Sequence, residues 1–141
     1  MKSYAATSLI AATPDTVWAI LTDAPQYSQW DSGVERVEGQ IALGTKIRVF
    51  SKINPGRAFP VTVTRFIPGQ AMDWSGGLPL GVFKSVWTFT LSTHRSGAIG
   101  FTMCEEYTGV LLSLMWRSMP DLGPSLAQFA AGLKKQAESV R

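Results

Sequence analysis

The chain has 141 residues, of which 45% are hydrophobic and only 16% are charged. This length and composition predict one domain over residues 1–141 with a substantial buried core, and they exclude a disordered chain. The formal charge is only +3 and the basic residues are scattered, so we expect no nucleic-acid surface.

The first elements in chain order are a strand, two short helices and a second strand. Residues 4–12 alternate between polar and apolar side chains as a strand does. Thr13 followed by Pro14 is typical of a helix N-terminus, with an N-cap and then a proline that needs no hydrogen bond. Residues 25–31 favour a second short helix, and a strand is expected over Val34 to Glu38.

From about residue 45 the alternation of a sheet continues to residue 108. Pro68-Gly69 and Ser96-Gly97 provide residues that favour tight turns between pairs of strands. Because every connection is short, neighbouring strands are expected to be antiparallel.

The last third changes to the period of a helix. Leu122, Leu126, Phe129 and Leu133 recur at intervals of four, three and four residues, which is the stripe of an amphipathic helix. Pro120 and Pro124 predict a break before it. An antiparallel sheet needs one face covered, so we predict an α+β fold in which a sheet of about seven strands wraps around this long C-terminal helix.

Two adjacent acids, Glu105 and Glu106, lie inside the strand predicted over residues 99–108. Alternation places Glu105 on the apolar face with Ile99, Phe101, Met103 and Tyr107, and it places Glu106 on the opposite face. A carboxyl group on an apolar face must be hydrogen-bonded, protonated, paired with a cation or in contact with water. A structural role and a ligand-facing role are both open at this point.

Several side chains are candidates to satisfy or surround this carboxyl group. Trp74, Trp87 and Tyr107 each carry a hydrogen-bond donor, and Arg48 and Arg65 are candidate cation partners. The residues predicted to line a ligand site are Trp74, Phe83, Trp87, Phe89, Phe101, Met103, Glu105, Tyr107, Met119, Leu122, Leu126 and Phe129.

Other chemistry has little support. Cys104 is the single cysteine, so no internal disulfide forms and a reducing, cytoplasmic location is expected. His94 is the sole histidine and falls in a turn, so we expect no metal site and no other cofactor. No run approaches the roughly 18 apolar residues of a membrane span.

Four motifs resemble one known family. "PDTVWAILTDAPQYSQWD" is similar to its opening helix, "MDWSGGLPLGVFKSVWTFTL" to its central pair of strands, and "LAQFAAGLKKQAE" to its last helix. "EEYTGVL" is similar to a Glu-x-aromatic-Ser/Thr-Gly signature, which selects Glu105 and Tyr107. This family is the START-like or SRPBCC superfamily of helix-grip proteins, and the chain departs from it at "MPDLGPS".

The resemblance implies a deep apolar pocket between helix and sheet that holds a lipid, a sterol, a polyketide-like aromatic or a similar molecule. It implies no particular activity, since the superfamily includes carriers, cyclases and chaperone activators. Binding of a hydrophobic small molecule is therefore the first hypothesis. The alternatives are a polyketide cyclase or dehydratase that uses Glu105 and Tyr107 as catalytic residues, and a chaperone-activator-like interaction module with Leu112 and Trp116 in its contact patch. The oligomeric state is left open.

Overall fold

The computed structural model describes residues 2–30, 32–52, 56, 58–112 and 123–139. Within these ranges the chain forms one antiparallel sheet of seven strands with helices on one side, which confirms the α+β helix-grip fold. The strands are β1 (Lys2–Ile10), β2 (Val34–Glu38), β3 (Lys46–Ser51), β4 (Ala58–Ile67), β5 (Ala71–Leu78), β6 (Phe83–Thr93) and β7 (Ile99–Thr108). The α-helices are α1 (Pro14–Thr22) and α2 (Gly123–Ser139).

The first helix begins where its N-cap predicts. The side chain of Thr13 accepts a hydrogen bond from the backbone N–H of Thr16 at 3.1 Å, which satisfies one of the free donors of the first turn. The second short helix is smaller than residues 25–31 suggested. It is a 3-10 helix over Ala24–Gln26 followed by turns.

The sheet is a meander with one exception. Its strand order is β1-β7-β6-β5-β4-β3-β2, so consecutive strands from β2 to β7 are neighbours and β1 lies at the far edge beside β7. The predicted turns at Pro68-Gly69 and Ser96-Gly97 are present. Gly69 and Gly97 have φ values of 75° and 86°, a left-handed conformation that glycine adopts without strain.

A bulge in β4 decides which way Arg65 faces. Strict alternation after the buried Val61 and Val63 would turn Arg65 inward. The pairing of β4 with β5 shifts between Val63 and Arg65, so Arg65 faces outward and its Nη2 lies 3.0 Å from Oδ1 of Asp73. Arg65 is therefore not a partner of Glu105, and that prediction was wrong.

Arg48 was also wrong as a candidate partner. It alternates with the buried Ile47 and Val49 and therefore lies on the outer face of β3. Its Nη1 is 3.3 Å from Oε1 of Glu38 on the neighbouring strand. Both arginines thus pair with acids on the outside of the sheet.

The long helix α2 covers the inner face, where it packs mainly against β1 and also against β7 and α1. Leu126, Phe129 and Leu133 of the predicted stripe are buried. Leu122 and the predicted break at Pro120 lie outside the described residues.

Polar contacts join the last turns of α2 to the end of β1. Nζ of Lys134 donates to the carbonyl of Leu9 at 2.6 Å and to Oε2 of Glu138 at 2.7 Å. The same Oε2 atom accepts from the backbone N–H of Ala11 at 2.9 Å. We call Lys134 and Glu138 with these backbone groups the β1 clasp.

Candidate functional site

The inner face divides into two regions, and the first consists of closely packed rings. Phe129 of α2 lies 5.1 to 6.1 Å, centroid to centroid, from the rings of Trp30, Tyr27, Phe89 and Phe101. Trp74 adds contacts with Phe89 at 4.7 Å and Tyr27 at 6.4 Å. We call these six residues the aromatic cluster. Its side chains fill one another's space, as in a protein core.

The second region lies at the other end of β6 and β7 and contains the buried acid. Glu105 pairs across the strands with Trp87 on one side and Tyr4 on the other, and Tyr107 pairs with Ser85. The ring of Phe83 stacks on Tyr107 at 6.0 Å. We call Phe83, Ser85, Trp87, Glu105 and Tyr107 the acid end.

The alternation of β7 correctly predicted the direction of its two acids. Glu105 is only 6% exposed, whereas Glu106 is exposed on the outer face. The hydroxyl group of Tyr107 donates to Oε2 of Glu105 at 2.9 Å. Burial raises the pKa of Glu105 from 4.5 to about 7, although the hydrogen bond from Tyr107 lowers it in part.

No cation compensates this carboxyl group within the described part of the chain. The four ion pairs found there join Arg36 and Arg48 to Glu38, Arg65 to Asp73, and Lys134 to Glu138. Burial also raises the pKa of the Tyr107 hydroxyl group, and the charge of Glu105 raises it further. Glu105 therefore exchanges between its protonated and ionised forms near neutral pH, whereas the hydroxyl group of Tyr107 keeps its proton.

Three buried polar atoms near the acid end have no hydrogen-bond partner among the described residues. They are Nε1 of Trp74, Nε1 of Trp87 and Oγ of Ser85. The indole N–H of Trp87 lies close enough to Tyr107 to lower the pKa of its hydroxyl group, but without the geometry of a hydrogen bond. Buried donors are normally paired, so these atoms need an explanation, and so do Nε1 of Trp30, Oγ of Ser8 and Oε2 of Glu35 elsewhere in the described chain.

The structure separates the residues predicted to line a ligand site. Phe83, Trp87, Glu105 and Tyr107 belong to the acid end, and Met103 lies between it and the aromatic cluster in the alternation of β7. Four others belong to the aromatic cluster, namely Trp74, Phe89, Phe101 and Phe129. Leu126 is buried in the same core. Met119 and Leu122 lie outside the described residues.

Sequence reasoning missed two members of the inner surface that the alternation already contained. Ser85 lies in phase with Phe83 and Trp87 and is fully buried, and Tyr4 lies opposite Glu105 in the neighbouring strand. Leu112 does not belong to an exposed patch, since it is buried against Phe83 and Tyr107. Trp116, the other residue proposed for that patch, lies outside the described residues.

The described residues contain no group of three or more His, Cys, Asp or Glu side chains that could hold a metal ion. No helix within the same ranges is long and apolar enough to cross a membrane.

The sequence model of one family, "Polyketide cyclase / dehydrase and lipid transport", matches residues 1–138. The chain belongs to this family. Membership supports ligand binding in a general sense, and it agrees with the resemblance to START-like proteins drawn from the motifs. No curated protein matches the sequence.

Solved structures of low sequence identity share the fold over nearly the whole chain. A START superfamily protein from Mycobacterium smegmatis is 16% identical, with a TM-score of 0.69 and 99% of each chain covered. Norcoclaurine synthase from Thalictrum flavum is 15% identical, with a TM-score of 0.71, 99% of this chain and 88% of that chain covered. The Aha1 dimer from Colwellia psychrerythraea is 18% identical, with a TM-score of 0.73, 98% of this chain and 97% of that chain covered.

Proposed function

We propose that this protein binds a hydrophobic small molecule between the sheet and α2, with a polar group of that molecule at the acid end. The observation that carries the proposal is a buried carboxyl group, held by Tyr107 and without a cation, beside three buried polar groups that have no partner among the described residues. Lipids, sterols and polyketide-like aromatics are the ligand classes that we propose.

The chemistry of the acid end favours a ligand with a hydroxyl or carbonyl oxygen. Such an oxygen accepts hydrogen bonds, which the indole N–H of Trp87 and the hydroxyl group of Ser85 are able to donate. When Glu105 is protonated it donates as well, and when it is ionised it accepts from a ligand hydroxyl group. A free ligand carboxylate is disfavoured, because it would place a second negative charge beside Glu105.

The apolar walls then supply most of the affinity. Rings of Phe83, Trp87 and Tyr107 line the acid end, and aromatic surface removed from water contributes roughly 25 cal/mol per Å². A small number of polar groups within such walls fixes the orientation of a ligand rather than its affinity.

Ligand binding can be tested through the fluorescence of the tryptophans that lie on the inner face. The purified protein is titrated with a fatty alcohol, a sterol and a hydroxylated polycyclic aromatic, and its thermal unfolding is followed with each. Saturable quenching together with a rise in Tm is the expected result for at least one compound. The absence of both effects with all three classes would contradict the proposal.

A matched pair of serine substitutions shows where the molecule binds. Ser85→Leu adds an apolar side chain at the acid end, and Ser3→Leu adds the same side chain on the exposed face of β1. We expect Ser85→Leu to abolish ligand binding with little loss of stability, and Ser3→Leu to bind as the wild type does. If the acid end is solidly packed, Ser85→Leu will instead destabilise the fold by about 1–3 kcal/mol.

Proton transfer at the same site is a second candidate function. The observation that favours it is the pKa of Glu105 near 7, with Tyr107 in position to donate to its oxygen. A carboxyl group with such a pKa is suited to act as a general acid or base. If a compound that binds is also converted, Glu105→Gln should abolish conversion and retain binding, whereas Glu106→Gln should change neither.

A further inference from the structure

Two neighbouring loops expose large apolar side chains at the acid end of the sheet. Leu80, between β5 and β6, is 99% exposed, and Val110, directly after β7, is 77% exposed. Leu78 is also exposed. The backbone N–H of Leu111 donates to the carbonyl of Val82 at 2.9 Å, so the two loops are held side by side. We call Leu78, Leu80 and Val110 the apolar tip.

The conformation of Leu80 makes its exposure more unusual. Its φ and ψ are 61° and 19°, the left-handed region that glycine adopts readily and leucine rarely does. Among the described residues it is the one non-glycine residue with a positive φ. A strained backbone and a fully exposed leucine are each unfavourable in water, and their combination supports a hypothesis of function.

A depression lies directly beside the apolar tip. It has a volume of about 540 Å³, and its lining includes Leu78 and Gly81 of the same loop. Lys46 and Lys84 also line it, together with hydroxyl-bearing side chains of β4 and β5. Both lysines are exposed, and neither belongs to an ion pair found in the described part of the chain.

The two segments that contain the apolar tip carry one charge. Residues 74–84 and 107–112 include Lys84 and no acidic residue, and Asp73 and Glu106 lie directly outside them. Lys84 pairs with Gly77 and Thr108, so its positive charge lies between the two loops, and Glu106 is the nearest exposed acid along β7. Protruding apolar side chains above lysines are complementary to a bilayer that carries anionic lipid.

We infer that the apolar tip docks on an anionic lipid surface. Leu80, Val110 and Leu78 enter the boundary between headgroups and acyl chains, and Lys46 and Lys84 hold a lipid phosphate in the depression. A lipid surface fits better than a protein partner, because the side chains protrude singly rather than forming a flat patch or a groove.

The docking surface also has a consequence for the ligand, which rests on the proposed function. Phe83 follows the apolar tip by only a few residues and stacks on Tyr107 of the acid end. A hydrophobic molecule that binds at the acid end would therefore reach it directly from the bilayer, without crossing water.

Vesicle flotation with the full chain tests the docking. The probes are vesicles of phosphatidylcholine alone and of phosphatidylcholine mixed with phosphatidylglycerol. The wild type is expected to float with the mixed vesicles and much less with the neutral ones, and added salt should weaken the binding. Failure of the wild type to bind the mixed vesicles would overturn the inference.

Paired variants identify the surface. Leu80→Ser combined with Val110→Ser should reduce binding to the mixed vesicles by about tenfold or more, since each buried side chain contributes strongly to partition. Leu43→Ser is the control, because Leu43 is 64% exposed in the connection between β2 and β3. Equal binding by the tip variant and the wild type would overturn the inference, as would self-association through the tip in solution without vesicle binding.

The lysines are tested by charge removal with a control of the same kind. Lys46→Gln combined with Lys84→Gln should reduce binding to the mixed vesicles and leave binding to neutral vesicles unchanged. Lys135→Gln removes one charge from the exposed surface of α2 and should have little effect.

Ligand titrations without vesicles separate the two proposals, since the tip variants should keep the ligand affinity of the wild type. Loss of ligand binding with intact vesicle binding would contradict the proposed function alone.

Discussion

The aromatic cluster and the acid end share strands β6 and β7, but the cluster consists of closely packed rings and the acid end contains a buried carboxyl group. In the aromatic cluster, rings from three strands and from the segment after α1 pack against the ring of Phe129 in α2. The hydroxyl group of Tyr27 donates to the carbonyl of Leu21. At the acid end a carboxyl group is buried without a cation and nearby donors have no partner within the described residues. Nε1 of Trp30 and Nε1 of Trp74 in the aromatic cluster also lack a partner within the described residues, so the difference between the regions is the buried carboxyl group, whose ionisation costs stability.

Truncation of one phenylalanine in each region should give the largest difference between them. Phe129→Ala removes the ring that contacts four other rings, and we expect it to lower the free energy of unfolding by about 3–5 kcal/mol. Phe83→Ala at the acid end should cost only about 1–3 kcal/mol, because Phe83 belongs to a small cluster with Tyr107 and Leu112 and borders the depression beside it. Urea unfolding of both variants measures the two losses, and equal losses would show that the acid end is as solidly packed as the cluster.

The second-largest effect should be a pH dependence of the free energy of unfolding that comes from Glu105 at the acid end. Between pH 4.5 and about 7, folded Glu105 keeps a proton that the unfolded chain has released, so stability falls as pH rises through this window. Glu105→Gln mimics the protonated form and should raise the free energy of unfolding at about pH 8 by about 3 kcal/mol, with little change below pH 4.5.

Glu106→Gln is the control for this experiment, because it removes the same charge from the exposed side of β7. Its stability should follow that of the wild type at every pH. A wild-type protein whose stability is flat over this window would show that Glu105 is ionised without penalty, and the acid end would then need a cation.

The two buried tyrosines should respond differently to loss of the hydroxyl group. Tyr27→Phe removes the donor to the carbonyl of Leu21 and should cost about 1–3 kcal/mol at any pH near neutrality. Tyr107→Phe removes the hydrogen bond that lowers the pKa of Glu105, so that pKa should rise above 7 and the cost should grow with pH. Unfolding curves at several pH values distinguish the two, and a pH-independent cost for Tyr107→Phe would refute the coupling.

The smallest expected effect concerns the β1 clasp, which lies outside both regions. Lys134→Met keeps the apolar stem but removes the donor to Leu9 and Glu138, and it should cost about 0.3–1 kcal/mol. Lys135→Met, one residue along on the exposed side of α2, should cost less. Thermal unfolding of both variants at low and high salt checks this, because only the first effect should be weakened by salt.

The alternation of side chains along a strand predicted the inward direction of Trp74, Phe89, Phe101 and Glu105. Ile99 to Tyr107 follow it without interruption, so the inward row was readable. Alternation failed at Arg65, where a bulge in β4 turned the side chain outward. Bulges depend on how two strands pair, which a single strand does not encode.

Two neighbours of the acid end were also beyond local reasoning. Tyr107 and Trp87 were among the candidates, but Tyr4 and Ser85 are neighbours only through register. The apolar tip was missed for a different reason. Nothing in "GLPLGV" distinguishes a buried leucine from one that is exposed, because exposure there depends on the turn of the chain at Leu80.

The position of β1 has a consequence for how the chain folds. Each strand from β2 to β7 can pair with the one just made, whereas β1 must wait for β7, since Lys2 pairs with Tyr107 and Ile10 with Ile99. During synthesis the first strand therefore stays without a neighbour until most of the chain has left the ribosome. Such distant pairing slows folding and leaves an unpaired edge open to aggregation in the meantime, so the last pairing to form should limit the folding rate.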